Sequence, residues 1–140
     1  MAAGDASTGR ELLVRGKVVG GVRKASCFTR LDWVQRQCLE KLGFRPYPGT
    51  LNLEVGDDVL ELLESVKGEG SILLTPPNEE YCTAQTLPVR MGTVRGAIII
   101  PEEDARVHGK NVLEIIAPLR LRIALNLKDG DVLTVRIKKN

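Results

Sequence analysis

Apolar residues in this chain fall into short runs with two different periods. In Thr50-Leu51-Asn52-Leu53-Glu54-Val55 they alternate with polar residues, the two-residue period of a half-buried strand. Leu51, Leu53 and Val55 therefore point to a core, while Thr50, Asn52 and Glu54 share the other face, with about 7 Å between successive members of the row. Leu31, Val34, Cys38, Leu39 and Leu42 recur instead at helical spacing, which predicts an amphipathic helix over 32–42 with Gly43 as its C′ residue. Asp57 and Asp58 suit the start of a second short helix, running through residue 67.

Further apolar or alternating runs predict strands over 12–19, 72–74, 81–90, 94–100, 112–117 and 132–137. Gly20-Gly21 closes the first, Pro76-Pro77-Asn78 the second, and Lys128-Asp129-Gly130-Asp131 makes a tight turn ahead of the last. Pro118 is expected at the first position of a short helical turn after the 112–117 strand. Strands and helices do not alternate regularly, which argues against a doubly wound parallel sheet. Many short strands with glycine turns favour a sheet that closes on itself and leaves few exposed edges. The expected fold is mainly β, a small barrel with two or three short helices. Residues 1–11, small and polar, are expected as a flexible tail, and 12–140 as a single domain.

A chain of 140 residues with 43% apolar side chains can build one core. Lys and Arg number 20 against 18 Asp and Glu, a net charge of +2 that is too small to draw nucleic acid or a membrane surface by bulk attraction. Neither is expected as a partner, so any anion site must be local. No apolar run reaches the roughly 20 residues that cross a bilayer, and MAAGDASTGR lacks the basic start and apolar stretch of a secretory signal. Cys27, Cys38 and Cys82 are odd in number and contain no CxxC pair, so they fit neither a disulfide framework nor a zinc site; a cytoplasmic setting is expected. His108 is the sole histidine and sits in a turn-like Gly109-Lys110-Asn111 context, which excludes multi-histidine metal centres and disfavours a Ser/His/Asp hydrolase.

Chemistry-bearing residues concentrate in three stretches, 20–27, 46–52 and 114–122, all at strand ends. Gly20 and Gly21, following a strand, are a weak phosphate-binding signal. Thr50 and Asn52 bring two oxygen-bearing side chains to one face. Glu114 interrupts an apolar strand, and beyond Pro118 the backbone amides, with Arg120 and Arg122 beside them, suit an anion.

Taken together, Gly43-Phe44-Arg45-Pro46-Tyr47-Pro48-Gly49-Thr50-Leu51-Asn52-Leu53, Gly96-Ala97-Ile98-Ile99-Ile100-Pro101, the 114–122 stretch and Asn126-Leu127-Lys128-Asp129-Gly130-Asp131 resemble, in order, the CTP-dependent riboflavin kinase family known from archaea. The resemblance spans roughly residue 12 to the C-terminus. It implies a six-stranded cradle-loop barrel that phosphorylates riboflavin to FMN and converts CTP to CDP. It also implies Mg²⁺ held by Thr50 and Asn52, a flavin contact at Glu114, and nucleotide contacts at Gly20, Gly21, Leu119, Arg120, Leu121 and Arg122. Neutral oxygens at alternate strand positions suit Mg²⁺, which completes its shell with water and phosphate oxygens.

The chain departs from the family pattern in two places. Where the family carries a glycine-rich loop ending in an aromatic residue, this chain reads Gly21-Val22-Arg23-Lys24-Ala25-Ser26-Cys27; Arg23 and Lys24 are expected to offer charge to phosphates in place of close backbone approach. Three residues after Pro101, where the family tends to place a flavin-contacting threonine, stands Asp104, which can accept a hydrogen bond from a ribityl hydroxyl. Stacking on the flavin ring falls to Phe28, Trp33, Phe44, Tyr47 or Tyr81. Two other readings stay open: a non-catalytic flavin- or nucleotide-binding relative, and a DNA-binding regulator, since the 125–135 stretch also resembles the hairpin of swapped-hairpin transcription factors.

Overall fold

The computed structural model describes residues 11–20, 28–66, 70–79, 83–100 and 111–138. Its strands are β1 (Glu11–Val19), β2 (Leu51–Glu54), β3 (Ile72–Leu74), β4 (Ala84–Met91), β5 (Val94–Ile100), β6 (Val112–Ile116) and β7 (Val132–Lys138). They form one antiparallel sheet in the order β3-β4-β5-β6-β2-β1-β7, and β4 pairs with β7 as well. Six strands therefore close into a ring, as the pattern of short strands implied. The three-residue β3 is a seventh, outside the ring, with β4 as its strand partner.

Alternation explains which side chains fill the ring. Val18, Leu53, Ile98, Ile115 and Val135, from five different strands, are each at most 1% exposed. Full burial of a side chain of this size contributes about 1.5–3 kcal/mol. Leu51, Leu53 and Val55 point inward as the period of two requires, whereas Thr50 and Asn52 are half-buried on the opposite face and Glu54 is exposed. Helix α2 (Asp57–Val66) begins with both expected acids in its first turn and packs Val59 and Leu63 against the ring's core.

A second apolar cluster lies outside the ring. Helix α1 (Asp32–Gln37) continues as a π-helical turn over Cys38–Leu42, and together they cover the 32–42 span read from the apolar spacing. Trp33, Val34, Cys38 and Phe44 pack on Ala97 of β5 and Ile116 of β6, so the outer face of those two strands is covered. Burial pushes the Cys38 thiol up to about 11, which keeps it neutral and unreactive. The wide turn ends at Gly43, whose φ of 86° is left-handed and whose N–H donates to the Cys38 carbonyl at 2.9 Å. The helix is also tied to the outer strand: the Gln37 amide donates to the Thr75 carbonyl at 2.6 Å, and Lys41 Nζ to the Leu73 carbonyl at 2.6 Å.

Several boundaries shift. Strand β1 starts at Glu11, inside the span expected as tail, and the rest of that tail lies outside the described residues. The strand expected over 81–90 is described from Ala84 to Met91. Pro118 is not the first helical residue. Helix α3 (Leu121–Ala124) begins three positions later, with Arg120 as its extended N-cap, φ −78° and ψ 107°. Pro118 instead lies in the bend that carries the chain off β6. Among the described residues no helix is long and apolar enough to cross a membrane.

Candidate functional site

The chain between the π-helical turn and β2 forms a loop fixed from both sides. Its entry is anchored by Phe44, 5% exposed in the outer apolar cluster. The Gln35 side-chain amide donates to the Pro46 carbonyl at 2.8 Å and to the Thr29 carbonyl at 2.6 Å. The hydroxyl of Thr29, a fully buried residue, accepts the Gly49 N–H at 2.8 Å. From the sheet side, the Tyr47 N–H donates to the Ala117 carbonyl at 2.7 Å, just beyond β6. Gly49 has φ +106°, a conformation that a side chain would strain, and it delivers the next residue, Thr50, to the start of β2.

The register then assembles three oxygen-bearing side chains. Asn52 on β2 stands directly opposite Glu114 on β6, and opposing residues of an antiparallel pair project to one face. The Thr50 hydroxyl donates to Glu114 Oε1 at 3.1 Å. A hydroxyl that donates to a carboxylate keeps both lone pairs for another partner. Thr50, Asn52 and Glu114 are all half-buried, accessible to a ligand yet partly shielded from solvent. Their donors are hydroxyl, amide and carboxylate oxygens, a hard set that suits Mg²⁺ better than a soft metal. One carboxylate cannot neutralise a divalent ion, so this set fits an ion that arrives with phosphate. Among the described residues no group of three or more His, Cys, Asp or Glu side chains could hold a metal by itself.

Thr50 also lines an open cleft of about 160 Å³ at the end of the ring. Tyr47, Pro48 and Gly49 continue its first wall, and Leu51 and Ile115 form its floor. The second wall is the 119–122 stretch. Arg120 is exposed there, whereas Leu121 is buried in the core. Arg122 is engaged elsewhere: its Nη2 donates to Asp129 Oδ1 at 2.6 Å and to the Val19 carbonyl at 3.3 Å. Asp129 lies in the turn before β7, closed by the Asp131 N–H donating to the Lys128 carbonyl at 3.0 Å. Gly20 adjoins the same carboxylate, since a Cβ at that position would come 3.9 Å from Asp129 Oδ2. Arg122 thus links the end of β1 to the 128–131 turn.

The structure brings Thr50, Asn52 and Glu114 together on one face, and the cleft beside them contains Leu119, Arg120, Leu121 and Arg122. Gly20 neighbours the Arg122–Asp129 pair. Gly21, Arg23, Lys24, Cys27, Tyr81, Asp104 and His108 lie outside the described residues. Among the aromatic candidates, Trp33 and Phe44 belong to the outer core and Phe28 meets Trp33 edge-on at 5.8 Å, while Tyr47 lies in the cleft and is 45% exposed. The sequence does not single out Thr29 or Gln35, and it offers Asp129 only as part of a turn and of the 126–131 motif. Gln35 did leave a signal, because it occupies position i+4 from Leu31 on the apolar stripe of the helix, where a polar residue needs a partner.

Comparison with known proteins adds an independent finding. The family model described as "CTP-dep_RFKase: Domain of unknown function DUF120" matches residues 18–137. The chain is 36% identical over 125 residues to a riboflavin kinase of Pyrobaculum aerophilum, covering 87% of this chain and 59% of that protein. It is 36% identical over 132 residues to a riboflavin kinase of Methanocella arvoryzae, covering 90% of this chain and 57% of the relative. For a riboflavin kinase of Methanobrevibacter smithii the identity is 37% over 123 residues, 87% of this chain and 97% of the relative. The chain thus spans little more than half the length of the first two relatives and nearly all of the third.

Proposed function

This chain belongs to the CTP-dependent riboflavin kinase family, and from that premise we propose that it transfers the γ-phosphoryl group of CTP to riboflavin, giving FMN and CDP. The observation that carries the reading is the trio Thr50, Asn52 and Glu114, joined by register and by a hydroxyl-to-carboxylate hydrogen bond, with Thr50 itself lining the cleft. In the reaction a riboflavin hydroxyl oxygen bonds to the γ-phosphorus, the bond from that phosphorus to the β,γ-bridging oxygen breaks, CDP leaves, and the hydroxyl proton passes to solvent. Transfer of this kind asks the protein mainly for positioning and for charge opposite the phosphates.

Thr50 and Asn52 would hold Mg²⁺, which when bound neutralises phosphate charge and orients the triphosphate. Glu114 orients the Thr50 hydroxyl and offers its second carboxylate oxygen to the flavin's ribityl chain. Asp104 would accept from the same chain. Arg120, exposed on the second wall, supplies positive charge to the phosphates, with Gly20, Gly21, Leu119, Leu121 and Arg122 as the remaining nucleotide contacts. A cytoplasmic setting goes with this reading, since CTP is supplied there.

Incubation with riboflavin, Mg²⁺ and each nucleoside triphosphate in turn tests the proposal. FMN is expected with CTP, and no FMN with any donor defeats it. Riboflavin binding without turnover would make the chain a ligand-binding relative. The DNA-binding reading of the 125–135 hairpin loses ground because the family match extends over 18–137, far beyond that hairpin.

A further inference from the structure

We propose that Thr29 and Gln35, neither of which lines the cleft, are positioning residues that set the place of Thr50 and thereby the geometry available to the divalent ion. The inference rests on the kinase reading for the ion's role in turnover. The two oxygen donors are positioned by different means. Asn52 lies within β2, between Val19 of β1 and Glu114 of β6, so the sheet fixes its backbone on both sides. Thr50 lies outside the strand and follows Gly49, whose left-handed backbone imposes no side-chain constraint of its own. Besides the Tyr47 bond to the sheet, that backbone is held by the Thr29 hydroxyl, which accepts the Gly49 N–H at 2.8 Å, and the Gln35 amide, which holds the Pro46 carbonyl at 2.8 Å.

Gln35 also holds the Thr29 carbonyl at 2.6 Å, so the two residues act as one clamp. Thr29 is fully buried, and the Gly49 N–H is turned toward it. Mg²⁺ tolerates little departure from six-fold geometry, with ligand distances of about 2.0–2.1 Å. A misplacement of about 1 Å at a reacting centre commonly costs on the order of 10²-fold. Loss of the clamp should therefore weaken the response to the ion far more than it weakens riboflavin binding.

The test compares Thr29→Val, which keeps the shape and loses the acceptor, with Thr29→Ser, which keeps the acceptor. Three quantities are read: the Mg²⁺ concentration for half-maximal FMN formation, the KM for riboflavin, and broadening of the Thr50 and Asn52 amide NMR signals by Mn²⁺ in the presence of CDP. In Thr29→Val the Mg²⁺ requirement should rise about 10- to 100-fold. The riboflavin KM should stay within about twofold, and Mn²⁺ broadening should shift to higher ion concentration by the same factor as the Mg²⁺ requirement. Thr29→Ser should behave as the unmutated chain. Hydrogen exchange at the Gly49 amide reports whether the clamp has opened.

An exchanged Gly49 amide with unchanged ion dependence overturns the proposal. Should Thr29→Val fail to fold, Gln35→Glu, which keeps the size and removes the donor, takes its place under the same criteria. If the unmutated chain makes no FMN, the kinase reading falls, and Mn²⁺ broadening still decides the clamp. Selective broadening that weakens in the variants supports it. Broadening that is absent in the unmutated chain, or equal in the variants, overturns it.

Discussion

On one side of the cleft, three hydrogen bonds between neutral groups tie the 46–49 loop to Thr29, Gln35 and the Ala117 carbonyl. On the other side, Arg122 bridges β1 and the 128–131 turn through an ion pair whose Asp129 side chain is 69% exposed. Both arrangements join parts of the chain distant in sequence, yet they respond differently to a ligand. Partly buried bonds to backbone groups are costly to break, because the freed N–H or carbonyl is left unsatisfied. An exposed ion pair is worth about 0–1 kcal/mol and is screened by salt. The first wall is preformed, whereas under the proposed function Arg122 in the second would exchange the Asp129 carboxylate for the phosphates of a nucleotide.

The largest effect that bears on this contrast is expected at the donors themselves. Thr50→Ala or Asn52→Ala should lower Mg²⁺-dependent turnover by at least about 10²-fold, and an unchanged kcat for either would remove the preformed wall from the chemistry. Next comes Gly49→Ala, which forces a side chain onto a φ of +106°. A loss of about 1–2 kcal/mol is expected from that strain, seen as a lower Tm in thermal unfolding, together with a raised Mg²⁺ requirement. A variant as stable as the parent would show that the loop is not held as rigidly as its bonds suggest.

The smallest effects belong to the second wall. Asp129→Asn should change stability by less than about 1 kcal/mol, because the carboxylate it neutralises is 69% exposed. The same change frees Arg122 for phosphate and should lower the KM for CTP several-fold at low ionic strength, with the advantage shrinking as salt is added. A CTP KM that rises instead would mean that Arg122 serves the nucleotide only through the link between Val19 and the 128–131 turn.

Much of this molecule is legible without coordinates because the signals are local. The alternation in 50–55, the helical spacing from Leu31 to Leu42 with Gly43 behind it, and the Lys128-Asp129-Gly130-Asp131 turn each depend on neighbours within a few residues, and each is found where expected. Pro118 shows where such reading errs. A proline near a helix start suits the first helical position, but the bend leaving β6 takes Pro118 and α3 begins at Leu121. Thr50 and Asn52 were visible as a shared face, and the assignment of an ion to them came from the family resemblance, not from their spacing.

The sequence by itself determined the periods, the turns and the inward and outward faces, since these follow from backbone geometry over two to four residues. Only the tertiary structure decided which faces meet. Glu114 reaches Thr50 across 64 residues, and Arg122 meets the carbonyl of Val19 across 103. Closure of the ring, between β4 and β7, is equally non-local. Pairing of this kind depends on the register of strands far apart in the chain, which the burial of all the apolar faces at once selects and no short window contains.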